Sequence, residues 1–202
     1  MRAAWKTRGL PRISTTSLAQ HRDWRRNQLI EAAAAIALES GGEAVTVAAV
    51  AQRAGLSRTS VYEYFASSSD LIADLIIDEL QTFSLTLEEA IAGISEPTDA
   101  IEQWITTSLI YVADGRHLLA KALNSTQLPQ ERSAAIGTAH RRLLSSLTQN
   151  LQGLGVTDIH QALSLIQAAT DVATKRIESG NDAESEISMT SRFCIAGIRA
   201  LI

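Results

Sequence analysis

The glycine at position 55 and the residues on either side of it constrain this chain more than anything else in its sequence. In the run TVAAVAQRAGLSRTSVYEYFASSSD, Thr46 to Asp70, the apolar residues Val47, Val50, Ala51 and Ala54 recur at helical spacing. Thr46 stands where a hydroxyl can accept a hydrogen bond from an unpaired amide of the first turn. Ala49 occupies the third helical position, so there is no capping box. Gly55 stops the helix, because a left-handed residue is tolerated there when no β-carbon is present. Leu56 returns to the core, and Ser57 caps a second helix predicted from Arg58 to Tyr64. A small residue at 51, the turn glycine four residues later and the β-branched Val61 six further on suit two short helices crossing at roughly 90–120°.

The second helix has two unlike faces. Val61 and Phe65 belong to the inward one, while Arg58, Thr59, Ser60 and Tyr62 lie outward. That outward set offers hydrogen-bond donors and a methyl group suited to the edges of bases. Counted from the Ser57 cap, about eight residues make a rod of roughly 12 Å, comparable to the ~12 Å width of the major groove of DNA. Arg58 is the candidate for bidentate pairing with guanine. Thr46, Ser57, Tyr64 and the amides around Ser68 and Ser69 are candidates for phosphate contacts that set the register.

The same residues resemble the DNA-binding domain of the TetR family of bacterial transcriptional regulators. The family pattern runs from a capping Thr through an Ile/Val-Ala pair and Ala-Gly-Val-Ser to Tyr-x-His/Tyr-Phe. Here it stands as Thr46, Val50-Ala51, Ala54-Gly55-Leu56-Ser57 and Tyr62-Glu63-Tyr64-Phe65. Leu29 to Gly42, LIEAAAAIALESGG, looks like the family's first helix, and the resemblance covers about 45 residues. There are two departures. Ser67-Ser68-Ser69 replaces the Lys that usually opens the fourth helix, which leaves the helix N-terminus itself to attract an anion. Ile36-Ala37 replaces a Leu-Phe pair, and Trp24 is expected to supply the missing ring.

Charge is divided along the chain. The net charge is −4, yet residues 1–65 carry nine Lys/Arg against five acids and the remainder carries nine against seventeen. A basic first third and an acidic remainder suit one half that faces DNA and one that does not. Residues 1–22, with Arg2, Lys6, Arg8, Arg12 and Arg22, read as a mobile basic arm that could follow phosphates or enter the minor groove. The single cysteine, Cys194, excludes an internal disulfide and fits a reducing cytoplasm. No apolar run approaches the ~20 residues of a membrane span.

The rest of the chain reads as helices. With hydrophobic residues at 46% but aromatics at 4%, the interior is built from Ala, Leu and Ile, which favours helix. Ile72, Ile76, Leu80, Phe83, Leu87, Ile91 and Ile94 mark a long amphipathic helix over about 70–95. Pro97 opens another that ends near Gly115; a short one runs to about Ser125, and one more from Pro129 to about Gly153. The expected architecture is all-α, with about nine helices. It comprises a helix-turn-helix domain at 23–69 and a helical effector-binding and dimerisation domain at 70–202.

Two sites are expected in that second domain. Leu163, Ile166, Thr170 and Ala173, with Phe193, Gly197 and Leu201 of the final helix, combine apolar and small residues suited to a two-fold four-helix interface. Phe83, Leu87, Trp104, Thr107, Tyr111, Asn124 and Gln127 are placed where a bundle cavity could form, with mostly apolar walls and a few polar groups. A homodimer also suits DNA, since two recognition helices one turn apart read a palindrome.

Catalytic signatures are missing from the sequence: no phosphate loop, no nucleophile elbow, no HExxH, and four scattered histidines without metal-ligand spacing. His140-Arg141-Arg142 reads as a solvated basic face. The chain is therefore expected to be no enzyme and to need no metal or cofactor. The expected function is a homodimeric regulator that binds double-stranded operator DNA, a repressor released by a small apolar or amphipathic effector. Its rivals are a DNA-binding regulator without a small ligand and, further off, a helical-bundle enzyme.

Overall fold

The computed structural model describes residues 15–123, 128 and 130–202. Ten α-helices account for nearly all of them: α1 Thr15–Ser40, α2 Val47–Arg53, α3 Arg58–Tyr62, α4 Ser68–Ile91, α5 Pro97–Ala113, α6 Leu118–Leu123, α7 Ser133–Leu143, α8 Ser145–Gly153, α9 Ile159–Glu178 and α10 Ala183–Arg199. Short 3₁₀ turns stand at Gly42–Ala44 and Gln130–Arg132, and no strand occurs among the described residues. The fold is all-α, with an N-terminal helix-turn-helix unit followed by a helical bundle.

Capping sets most of the helix starts. Thr46, Ser57, Ser67, Asp158 and Asp182 each accept from the backbone N–H three residues on, opening α2, α3, α4, α9 and α10. Pro97 opens α5 from its first position, where a missing N–H costs nothing. Glu184 and Glu186 lie in the first turn of α10, and Lys175 and Arg176 in the last turn of α9, each opposing the local helix dipole.

Several boundaries differ from those expected. α1 begins at Thr15, so residues 15–22 of the expected arm are helical, while Arg2, Lys6, Arg8 and Arg12 lie outside the described residues. α3 is five residues, not eight, since Glu63 and Tyr64 already belong to the turn that leads to Phe65. The helix expected over 129–153 is divided at Leu144. No proline or glycine stands at the break: α7 packs on α4 while α8 packs on α5 and α9, and the chain bends between the two surfaces.

The protein has two cores. The first gathers Leu29, Ala33 and Ile36 of α1, Val50 and Ala51 of α2, Val61 of α3, Phe65, and Leu71, Ile72 and Leu75 of α4. Leu123 of α6 closes it, supported by Leu119 and Ala122. Trp24 does not contribute. It is 54% exposed and lies beside His21, because nine residues, or two and a half turns, set it opposite Ala33 on α1. The second core gathers Leu87, Ile101, Trp104, Ile105, Leu109, Leu147, Leu151, Ile166, Ala173, Cys194, Ile195 and Ile198.

Charged groups tie the two units together. Arg26 of α1 donates to Asp74 of α4 at 2.7 Å and reaches Asp78 at 3.6 Å, while Arg132, just before α7, pairs with Asp74 and lies 3.4 Å from Asp70. At the other end of the contact, Glu178 of α9 accepts from His117 at 2.7 Å and from Lys121 of α6 at 2.8 Å.

Candidate nucleic-acid interface and effector cavity

The turn between α2 and α3 is built as its residues require. Gly55 has φ 67°, its N–H donates to the Gln52 carbonyl at 3.2 Å, and the Leu56 N–H donates to the Ala51 carbonyl at 2.9 Å. That pair of bonds is a Schellman motif, which satisfies two carbonyls at the end of α2 and reverses the chain. Val61 and Phe65 are fully buried beneath α3. With its inner side anchored, α3 turns its other side to solvent.

On that side Arg58 and Thr59 are exposed, and Tyr62 is 57% exposed. Arg58 forms no ion pair with any described residue, so its guanidinium is not already held by a carboxylate. Arg53, by contrast, is committed: both of its terminal nitrogens donate to Glu39 at 2.6 Å, which lowers the carboxyl of Glu39 below its ordinary range. Ser60 is half-buried, and its hydroxyl lies 3.0 Å from that of Ser57 instead of facing outward.

The residues expected at phosphates are placed differently from one another. Thr46 and Ser57 are exposed at the starts of α2 and α3, their hydroxyls engaged in capping at 3.1 Å. Tyr64 is half-buried against the first core. Ser67, not Ser68 or Ser69, caps α4, accepting from Asp70 at 3.1 Å. Ser68 and Ser69 form the first turn of that helix, where the Asp70 carboxylate accepts from the Ala66 N–H at 3.3 Å. A negative side chain thus already occupies part of the helix N-terminus.

Within the bundle two chambers adjoin. One, of about 340 Å³, lies among α4, α5, α6 and α7; the other, of about 180 Å³, extends toward α8 and α9. They share Phe83, Val112, His140 and Leu143. Of the expected pocket residues, Phe83 lines both, Trp104 the smaller and Tyr111 the larger. Leu87 and Thr107 line neither: Leu87 is wholly buried in the second core, and Thr107 accepts from Gln103 on α5. Asn124 and Gln127 lie outside the described residues.

Sequence reasoning missed the polar groups of the larger chamber, Glu79, His117 and His140, and Ser108, Gln167, Asp171 and Thr174 of the smaller. Glu79 left a signal, since it sits one turn before Phe83 and three residues after Ile76, an acid at the edge of an apolar stripe. His140 is exposed like its neighbours Arg141 and Arg142, yet it borders both chambers. The Tyr111 hydroxyl donates to Glu79 at 2.6 Å, and burial together with that carboxylate raises its pKa, so it remains a neutral donor.

The face expected for dimerisation divides in two. Ile166 and Ala173 are buried inside the protomer, and Leu163 and Thr170 are half-buried along the smaller chamber. The larger apolar stripe of α9 is therefore its inner one. A second stripe faces outward, with Leu165 and Val172 on α9 and Met189 and Phe193 on α10, the last 68% exposed. Gly197 is exposed on the same side, and Leu201 lines the groove beside it with Phe193. A β-carbon at Gly197 would meet no atom within 4 Å. Nothing within the protomer calls for a glycine there, although one in a helix interior costs about 1 kcal/mol relative to Ala.

Among the described residues, no group of three or more His, Cys, Asp or Glu could hold a metal ion, and no helix is long and apolar enough to cross a membrane. Burial raises the pKa of the Cys194 thiol to about 11.

Residues 29–75 match the family model described as bacterial regulatory proteins, tetR family. No curated protein matches the chain in sequence. Solved structures match its fold. The transcriptional regulator FadR from Bacillus subtilis, in complex with stearoyl-CoA, is 20% identical with a TM-score of 0.71 over 85% of this chain and 98% of its own. The fatty acid degradation regulator FadR from Bacillus halodurans is 18% identical with a TM-score of 0.71, covering 87% and 96%. A TetR family transcription regulator from Marinobacter aquaeolei VT8 is 16% identical with a TM-score of 0.68, covering 88% and 97%.

Proposed function

We propose that this chain, a transcription regulator whose N-terminal domain is that of the tetR family, acts as a homodimeric repressor that a small effector releases from a palindromic operator. One observation carries the reading: α3 buries Val61 and Phe65 while leaving Arg58, Thr59 and Tyr62 open to solvent. At five residues α3 is roughly 7.5 Å long and reads few bases alone, so two copies are needed for a specific site. The outward apolar stripe of α9 and α10, with its unexplained glycine, supports pairing of two protomers there.

Effector control is supported by the cavity. Its larger chamber touches α4 and α6, and both helices also contribute to the core beneath the DNA-facing unit. A ligand that shifts either helix changes the separation of the two α3 rods, and such coupling is typically about 1–3 kcal/mol. FadR from Bacillus subtilis, similar in fold, holds stearoyl-CoA. An apolar or amphipathic molecule is the class that walls of Ile76, Leu80, Phe83 and Leu143 suit.

Selection of bound fragments from random duplex DNA tests the reading, with a palindrome the expected product. Arg58→Ala should weaken binding to that palindrome by about 1–3 kcal/mol, roughly ten- to a hundredfold, and relax preference at one base. Enrichment of no sequence at all would overturn the proposal.

A further inference from the structure

The larger chamber carries an electrostatic asymmetry that the regulator reading does not use. No lysine or arginine lines it or the chamber beside it. One acceptor does face it. Glu79 takes one hydrogen bond, from Tyr111, and forms no ion pair with any described residue.

The neighbouring charges lie outside the lining. Glu178 is matched by Lys121 at 2.8 Å. Arg116 lies over the Tyr111 ring at 4.2 Å, partly offsetting the pull of Glu79 on the Tyr111 proton, and donates to Thr86 from outside the chamber lining. Phe83 and Tyr111, with ring centroids 4.3 Å apart, add aromatic surface beside Glu79. Glu79 is half-buried, and a negative group partly withdrawn from water favours a partner, as faces of aromatic rings favour cations.

We propose that the cavity takes a protonated alkyl- or arylalkylamine, its ammonium donating to Glu79 and its apolar body lying along Phe83, Leu80 and Leu143. An anionic amphiphile, by the same lining, meets carboxylates and neither lysine nor arginine. The inference rests on the effector-responsive reading above and names the chemistry of that same site.

Three ten-carbon probes separate head-group charge from tail. Decylammonium, decanol and decanoate are titrated into the full-length protein at neutral pH and followed by calorimetry. Decylammonium is expected to bind about tenfold tighter than decanol, with decanoate weaker than both. Glu79→Gln, which keeps an oxygen for Tyr111, should bring the amine down to the level of the alcohol. The wild-type ranking stands as a test by itself should that variant fail to fold. Equal or tighter binding of decanol or decanoate, an amine preference that survives Glu79→Gln, or no binding of any probe each overturns the proposal. Operator selection, run without ligand, is scored apart. An operator bound without amine preference removes only the ligand class, and amine binding without an operator removes the regulator reading instead.

Discussion

Leu123→Ala tests whether α6 is the strut that joins the helical bundle to the helix-turn-helix unit. Leu123 is 1% exposed and sits in the first core, though its helix begins 27 residues after α4 ends. The substitution removes three carbons, worth about 2.4 kcal/mol at roughly 0.8 kcal/mol per buried CH₂ group. A cavity term adds to this where neighbours cannot collapse. Leu29, Ala33 and Leu71 belong to helices of 24 and 26 residues that are pinned elsewhere, so little collapse is expected. The expected loss is therefore about 2–4 kcal/mol. Urea unfolding at one fixed protein concentration measures it, since association shifts apparent stability. Hydrogen exchange locates it: protection should fall in α1–α3 while α9 and α10 keep theirs. A loss below about 1 kcal/mol, or an equal loss of protection in both units, refutes the strut.

Other perturbations probe separate contacts. Lys121 first, and then His117, hold the carboxyl of Glu178 below the ordinary carboxylate range. A depressed folded-state pKa stabilises the protein above the unfolded pKa, and the benefit disappears as pH falls through the folded value. Glu178→Gln should therefore be less stable than wild type at neutral pH, with the gap closing as the pH drops below the carboxylate range; urea midpoints across that range measure it, and a gap constant with pH contradicts it. Gly197→Arg should leave a folded monomer in sedimentation, because the site is open within the protomer and Arg is the better helix former; a persisting dimer places the interface elsewhere.

What could be read in the sequence was local. Thr46, Ser57 and Gly55 act within four residues of themselves, so cap, turn and second cap follow from residue chemistry alone. Val61 and Phe65 declare the inner face of α3 by spacing, and the outer face follows by subtraction. The division at Leu144 was not legible, because it comes from two packing surfaces and no breaker residue. On α9 two apolar stripes compete. The stronger one, through Leu163, Ile166 and Ala173, turns inward, because strength of pattern reports burial and not which partner provides it. The cavity depends on four helices converging, so Phe83, Trp104 and Tyr111 were visible as large side chains in amphipathic helices, while His117 and His140 carried no local mark.

α4 has feet in both cores. Leu71, Ile72 and Leu75 root it in the first, and Leu87 in the second. The tetR-family match ends at residue 75, the last of α4's fully buried residues in the first core. The hereditary module thus stops midway along a continuous rod, not at a linker. A graft of this N-terminal unit onto a foreign helical bundle would have to carry its own two opening turns of α4, and the splice would fall inside a helix, where only a matching rotational phase lets the two halves share an axis.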